Sequence, residues 1–136
     1  MKHCTIKELT SSSTAVAKKI DNTPTKEVGD NLQALVDNIL DPLREAYGRP
    51  IVVTSGYRCP ALNKAVGGAA NSQHTLGQAA DIKAFNLDDN KKLFELIKSL
   101  KLPFDQLIWE KGSKTNPSWV HVSYGPRHRR QVLYIV

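Results

Sequence analysis

Between Asp30 and Tyr47 the apolar residues Leu32, Leu35, Val36, Ile39, Leu40 and Leu43 recur at i, i+3 and i+4, a spacing that an amphipathic helix turns to one face. Gly48 stops the run. Pro42 cannot donate to the helical ladder and predicts a kink or break near Asp41. The β-branched run Ile51 to Thr54 predicts a buried strand, with Ser55-Gly56-Tyr57-Arg58 as its exit loop. Pro60 to Val66 reads as a helix ending at Gly67-Gly68, and Gln78 to Ala84 as an extended segment. Leu87 to Leu100 repeats the helical period with Asp88 as its cap. Phe104 to Trp109 and Trp119 to Tyr124 read as two strands joined by the Gly112 to Pro117 loop. Helices and strands are segregated rather than alternating. The fold class is therefore α+β, a small antiparallel sheet with flanking helices.

The 136 residues, 40% of them hydrophobic, suffice for one compact domain over 1–136, with 1–29 as an N-terminal extension of it. In that extension the stretch 5–30 is rich in Ser, Thr and Lys. It predicts one or two short helical pieces joined by the Asp21-Asn22-Thr23-Pro24 turn, with Thr23 capping a helix whose first turn holds Pro24. Cys4 and Cys59 have no paired spacing and read as free thiols. No stretch approaches the ~18 apolar residues of a membrane span, so no membrane insertion is expected. The first eight residues lack the apolar core of a secretion signal, so the expected site of synthesis is the cytoplasm. The net charge of +6 and the basic segment Arg127-His128-Arg129-Arg130 raise the question of a polyanionic partner. The charge is dispersed and no nucleic-acid motif is present, so no nucleic acid is expected as partner.

The chemistry lies in Ser72-Gln73-His74-Thr75-Leu76-Gly77-Gln78-Ala79-Ala80-Asp81-Ile82 and in Trp119-Val120-His121-Val122-Ser123. Two imidazoles and a carboxylate, each in small or apolar surroundings, suit a catalytic zinc with an open fourth position. A lone histidine such as His121 is more often a hydrogen-bonded core residue, and an arginine could equally offset the burial of Asp81. On a strand, however, Trp119, His121 and Ser123 share one face while Val120 and Val122 pack on the other. The small residues Gly77, Ala79 and Ala80 leave room for a metal and a substrate.

Ser72, His74, Gly77, Ala79 and Asp81 stand in the pattern Ser-x-His-x-x-Gly-x-Ala-x-Asp, followed by Trp119 and His121 as Trp-x-His. With Ser55-Gly56-Tyr57-Arg58 and Pro60-Ala61-Leu62-Asn63 upstream, the chain resembles the zinc D-alanyl-D-alanine carboxypeptidases and related murein peptidases of peptidase family M15. The likeness runs from about residue 30 to about residue 126 and is strongest to the short, single-domain M15A-type members common in phages and prophages. It implies a hedgehog/DD-peptidase-like fold around a shallow cleft, Zn2+ as cofactor, and His74, Asp81 and His121 as its ligands. It implies a peptidoglycan stem peptide as substrate, cleaved next to a D-amino acid. Which bond is cut, and whether as carboxypeptidase or endopeptidase, the residues leave open. The basic charge suits an anionic wall, reached after release from the cell, and the chain is expected to act as a monomer.

The resemblance also assigns Arg58 to contacting substrate and stabilising developing oxyanion charge, work for which a planar guanidinium is suited. Ser72 and Gln73 could orient His74 or bind substrate. Tyr57 could simply pack, and Trp119 could be core or a cleft wall. In several family members the general base is an acid three positions before the last histidine ligand. Here that position is Ser118, which cannot serve. Glu110, at the end of the strand that would pair with Trp119 to Tyr124, is the expected base, with Asp105 at the strand's start as the more distant candidate. A strand-end carboxylate paired with Lys111 or Lys114 is the plain alternative for Glu110. Ser118 also keeps open a non-catalytic, zinc-containing wall-binding domain on the same scaffold.

Overall fold

The structure is a computed structural model that describes residues 6–136. Two short helices, α1 (Ile6–Thr10) and α2 (Ser13–Ala17), open it. Leu9 of α1 is fully buried and α2 buries Ala15, so this stretch packs on the body of the protein. The next helix, α3 (Lys26–Leu35), starts at Thr25, whose hydroxyl accepts from Val28 N–H. Thr23 is therefore not the cap. Its N–H and hydroxyl both donate to Asp21, which closes the turn before the helix.

The predicted break at Pro42 takes the form of a π-helical turn, Val36–Leu40, between α3 and α4 (Asp41–Tyr47). One wide turn lets the chain stay helical up to the proline, which then sits in the first turn of α4 where its missing N–H costs nothing. Leu32, Leu35, Val36, Ile39, Leu40 and Leu43 are all fully buried along the resulting stripe. Gly48 ends α4 in the left-handed conformation, with φ of 78°.

The sheet runs in the order β1 (Ile51–Ser55), β2 (Ala79–Ala84), β4 (Trp119–Ser123), β3 (Gln106–Glu110), β5 (Gln131–Ile135). The first four strands pair antiparallel. The fifth lies parallel to β3, an edge strand that hydrophobic alternation did not reveal behind the basic segment 127–130. Two short α-helices complete the described elements: α5 (Pro60–Ala65) and α6 (Asn90–Ser99), the latter preceded by a 3₁₀ turn, Leu87–Asp89. Asp88 does not cap α6. The side chain of Asn86 instead caps the preceding 3₁₀ turn by accepting from Asp88 N–H.

One face of the sheet, carrying Ala80, Ile82, Leu107, Trp109, Val120 and Val122, joins the stripe of α3 and α4 and Leu93, Phe94 and Ile97 of α6 in the core. The opposite face is left to the site. Cys59 is a free, half-buried thiol, and Cys4 lies outside the described residues. Among the described residues no helix is long and apolar enough to cross a membrane.

Candidate active site

Alternation along three adjacent strands brings chemically distinct residues to one face. Asp81 of β2 stands opposite His121 of β4, and His121 in turn stands opposite Ile108 of β3. A cleft above them is lined by Gln106, Ile108 and Glu110 from β3, by Trp119 and His121, by Asp81, and by Arg58, Ala69, Ser72, Gln73 and His74 from two loops. Gln106 and Ile108 were missed from sequence. Their signal was the period-two spacing to Glu110.

His74 comes from a 3₁₀ turn, Gln73–Leu76, held in place by local bonds. The Ser72 hydroxyl accepts from His74 N–H at 3.1 Å, and Gly77 closes the turn at a φ of 73°. A Cβ on Gly77 would meet the Val28 carbonyl oxygen at 2.8 Å. Gly77 thus makes room for helix α3, and Ala79 and Ala80 are fully buried, so these small residues serve packing rather than space at the site. Beside them, β1 carries an irregularity between Val53 and Ser55, where the register against β2 shifts. Such a bulge re-aims the chain. The exit loop of β1 comes to lie against the His74 turn.

Two contacts join that loop to the histidine. His74 Nδ1 lies 2.7 Å from the Gly56 carbonyl, and Arg58 N–H donates to the His74 carbonyl at 3.1 Å. A carbonyl can only accept, so Nδ1 donates to it, and Nε2 is the ring nitrogen turned toward Asp81 and available to a metal. Nε2 is 3.4 Å from Asp81 Oδ1, and His121 Nδ1 is 3.0 Å from the same oxygen. All three donor atoms lie within 4.8 Å of one another. On a tetrahedral zinc with bonds near 2.0–2.1 Å, neighbouring donor atoms stand about 3.3 Å apart, so these side chains can hold such an ion with little movement. Burial alone would raise the Asp81 carboxyl, but hydrogen bonds and charge from His121 and His74 outweigh it and hold the group well below the usual carboxylate range.

Around the cluster stand two further charged groups. Burial pushes the Glu110 carboxyl up, with Asp81 adding to the rise and His121 opposing it. Half-burial in the cleft wall does not match an exposed strand-end carboxylate. Ser118 is exposed and outside the cleft, and its N–H donates to the Glu110 carbonyl. Burial lowers Arg58, with the Asp81 charge opposing, and its buried Nε finds no hydrogen-bond partner among the described residues.

Asp105 is elsewhere. It is fully buried, accepts from Arg129 Nε and Nη2 at 2.9 Å each and from Arg129 N–H at 3.0 Å, and does not line the cleft. Gln73 donates at 2.9 Å to Asp105 Oδ2, the oxygen that also accepts from Arg129 Nη2, so the side chain expected to touch substrate is anchored to a buried carboxylate.

Two imidazoles and a carboxylate converging at the floor of an open cleft, with an acid and an arginine on its walls, make a centre of metallohydrolase type. The model of the family described as Peptidase M15 matches residues 2–123, and the chain belongs to that family. It is also similar to a zinc D-Ala-D-Ala carboxypeptidase of Streptomyces albus G, 48% identical over 46 residues. That match covers 33% of this chain and 18% of the relative.

Proposed function

We propose that the protein is a zinc peptidase that hydrolyses a peptide bond in peptidoglycan stem peptides, next to a D-amino acid. The observation that carries this reading is the convergence of His74, Asp81 and His121 within 4.8 Å in a cleft whose walls carry Glu110 and Arg58. Membership of the peptidase M15 family and the likeness to a zinc D-Ala-D-Ala carboxypeptidase support the substrate class.

His74, Asp81 and His121 are the residues that would hold the ion. When bound, zinc supplies a Lewis acid that polarises a carbonyl and makes water nucleophilic near neutral pH. The Gly56 carbonyl keeps the His74 ring in the tautomer that ligation requires, as a hydrogen bond to the far ring nitrogen generally does. Glu110 takes the proton from the attacking water and returns it to the leaving amine, a role favoured by its upward-shifted carboxyl. Arg58 offers its donors to the developing oxyanion or to a substrate carboxylate. With Glu110 in the cleft, the absence of an acid at Ser118 no longer argues for a non-catalytic scaffold.

The test is digestion of purified sacculi by zinc-loaded protein, with the products weighed by mass spectrometry. Release of single D-amino acids marks a carboxypeptidase, and loss of cross-linked muropeptides with the appearance of stem-cleaved fragments marks an endopeptidase. No product under saturating zinc sinks the reading.

A further inference from the structure

Between Ser55 and Pro60 the chain runs as an irregular loop in which Gly56 and Tyr57 are buried, so its backbone polar groups must find partners in the protein. Gly56 C=O and Arg58 N–H are taken by His74, and Tyr57 N–H donates to the Leu9 carbonyl at 2.7 Å. The Cys59 carbonyl accepts from Asn63 N–H at 2.9 Å, and on either side of Arg58 stand the Tyr57 carbonyl and the Cys59 N–H. A single side chain takes both. Asn22 Nδ2 donates to Tyr57 C=O at 2.9 Å, and Asn22 Oδ1 accepts from Cys59 N–H at 2.8 Å. Nδ2 also donates to the Thr10 carbonyl at 3.0 Å, which ties the loop to the end of α1. Asn22 is only 8% exposed, so neither loop bond is easily replaced by water.

The residue between the two clamped positions is Arg58. A Cβ on Gly56 would run into the backbone of Leu9, which shows how closely the N-terminal segment is seated on this loop. We propose that Asn22 is a positioning residue: it clamps the backbone on both sides of Arg58 and thereby fixes the guanidinium against the His74, Asp81 and His121 cluster. The role of Arg58 toward substrate rests on the proposed function. The clamp itself does not.

Asn22→Ala leaves a buried carbonyl and a buried N–H unpaired, and the loop relieves them by opening toward water. Asn22→Asp keeps the shape and the acceptor for Cys59, but it turns an oxygen toward the carbonyls of Tyr57 and Thr10 and should behave like the alanine variant. Thr25→Ala, which removes the cap of α3, is the control for lost stability in the same region.

The experiment uses the full chain loaded with zinc. Amide hydrogen exchange of Tyr57, Arg58 and Cys59 is measured, together with zinc content and with kcat and KM on muropeptides, for Asn22→Ala, Arg58→Ala and the double variant. Wild-type Arg58 and Cys59 amides should be protected roughly a hundredfold or more relative to an unstructured peptide. Asn22→Ala should speed their exchange about tenfold while β3 and β4 amides and zinc content stay as in wild type. It should also lower kcat about tenfold with little change in KM, and lower it no further in the Arg58→Ala background. Thr25→Ala should lower Tm and leave kcat unchanged. Unprotected loop amides in wild type, unchanged exchange in Asn22→Ala, or an equal loss of kcat without Arg58 would overturn the clamp. Should Asn22→Ala not fold, wild-type exchange decides, and unprotected Arg58 and Cys59 amides overturn the clamp. If wild-type protein releases no product, the peptidase reading fails and exchange alone judges the clamp.

Discussion

Glu110 stands directly opposite Trp119 in the antiparallel pair of β3 and β4, two residues along the sheet from the His121 and Ile108 pair. Both Glu110 and Trp119 therefore point to the face that carries the histidine, which puts an acid on the neighbouring strand beside the position where Ser118 has none. Glu110→Gln keeps the shape and removes the proton acceptor. The expected outcome is a loss of roughly 10²–10⁴ in turnover with zinc still bound, read by product release beside elemental analysis. A normal rate would show that the carboxylate takes no part.

His74→Ala and His121→Ala each delete one of three donors from a cluster that can hold a single ion. Each variant is expected to lose stoichiometric zinc, as measured on dialysed protein, and to lose activity with it. Retention of one ion per chain in either variant would mean that the metal sits elsewhere.

Arg58→Lys retains a positive charge and removes the planar pair of donors. Turnover should fall by one to two orders of magnitude, in the range of about 10–10² for a lost charge-stabilising contact, while zinc content and Tm stay near wild type. An unchanged kcat would leave Arg58 outside the reaction.

Asp105 is buried and held below the usual carboxylate range, first by hydrogen bonds from Arg129 against the opposing effect of burial, then by Gln73. A depressed carboxyl contributes stability that is fully present above its unfolded value, about 3.9, and is lost as the pH falls through the lower folded value. Asp105→Asn should therefore lower Tm at neutral pH and flatten its decline between about pH 4 and pH 2. Turnover at neutral pH should change far less than in Glu110→Gln. A thermal melt series that matches wild type at every pH would show that the Arg129 pair adds nothing to stability.

Gly77→Ala puts a side chain at a φ of 73° and within 2.8 Å of the Val28 carbonyl. Left-handed backbone costs roughly 1–2 kcal/mol for a residue with a Cβ, and the contact adds to it. Denaturant melts should show a loss of at least that size. Equal stability would mean that the turn and α3 separate freely.

Local pattern determined much of this protein. The period of Leu32 to Leu43 set the long helix, and Pro42 announced its interruption, because a missing N–H is a property of one residue wherever it falls. The β-branched run at Ile51 and the alternation from Trp119 to Ser123 set strands and told which residues share a face. His74, Asp81 and His121 stood out because charged or imidazole groups among small and apolar neighbours call for a partner. Only the tertiary structure decided the rest. That β5 pairs parallel beside β3 and that Asp105 is consumed by Arg129 and Gln73 depend on contacts between residues distant in the chain. The same holds for Asn22, whose bonds to Tyr57 and Cys59 span 35 and 37 residues. An asparagine in a polar turn looks like any other in sequence, and only folding reveals that its amide bonds a buried loop on both sides of an arginine.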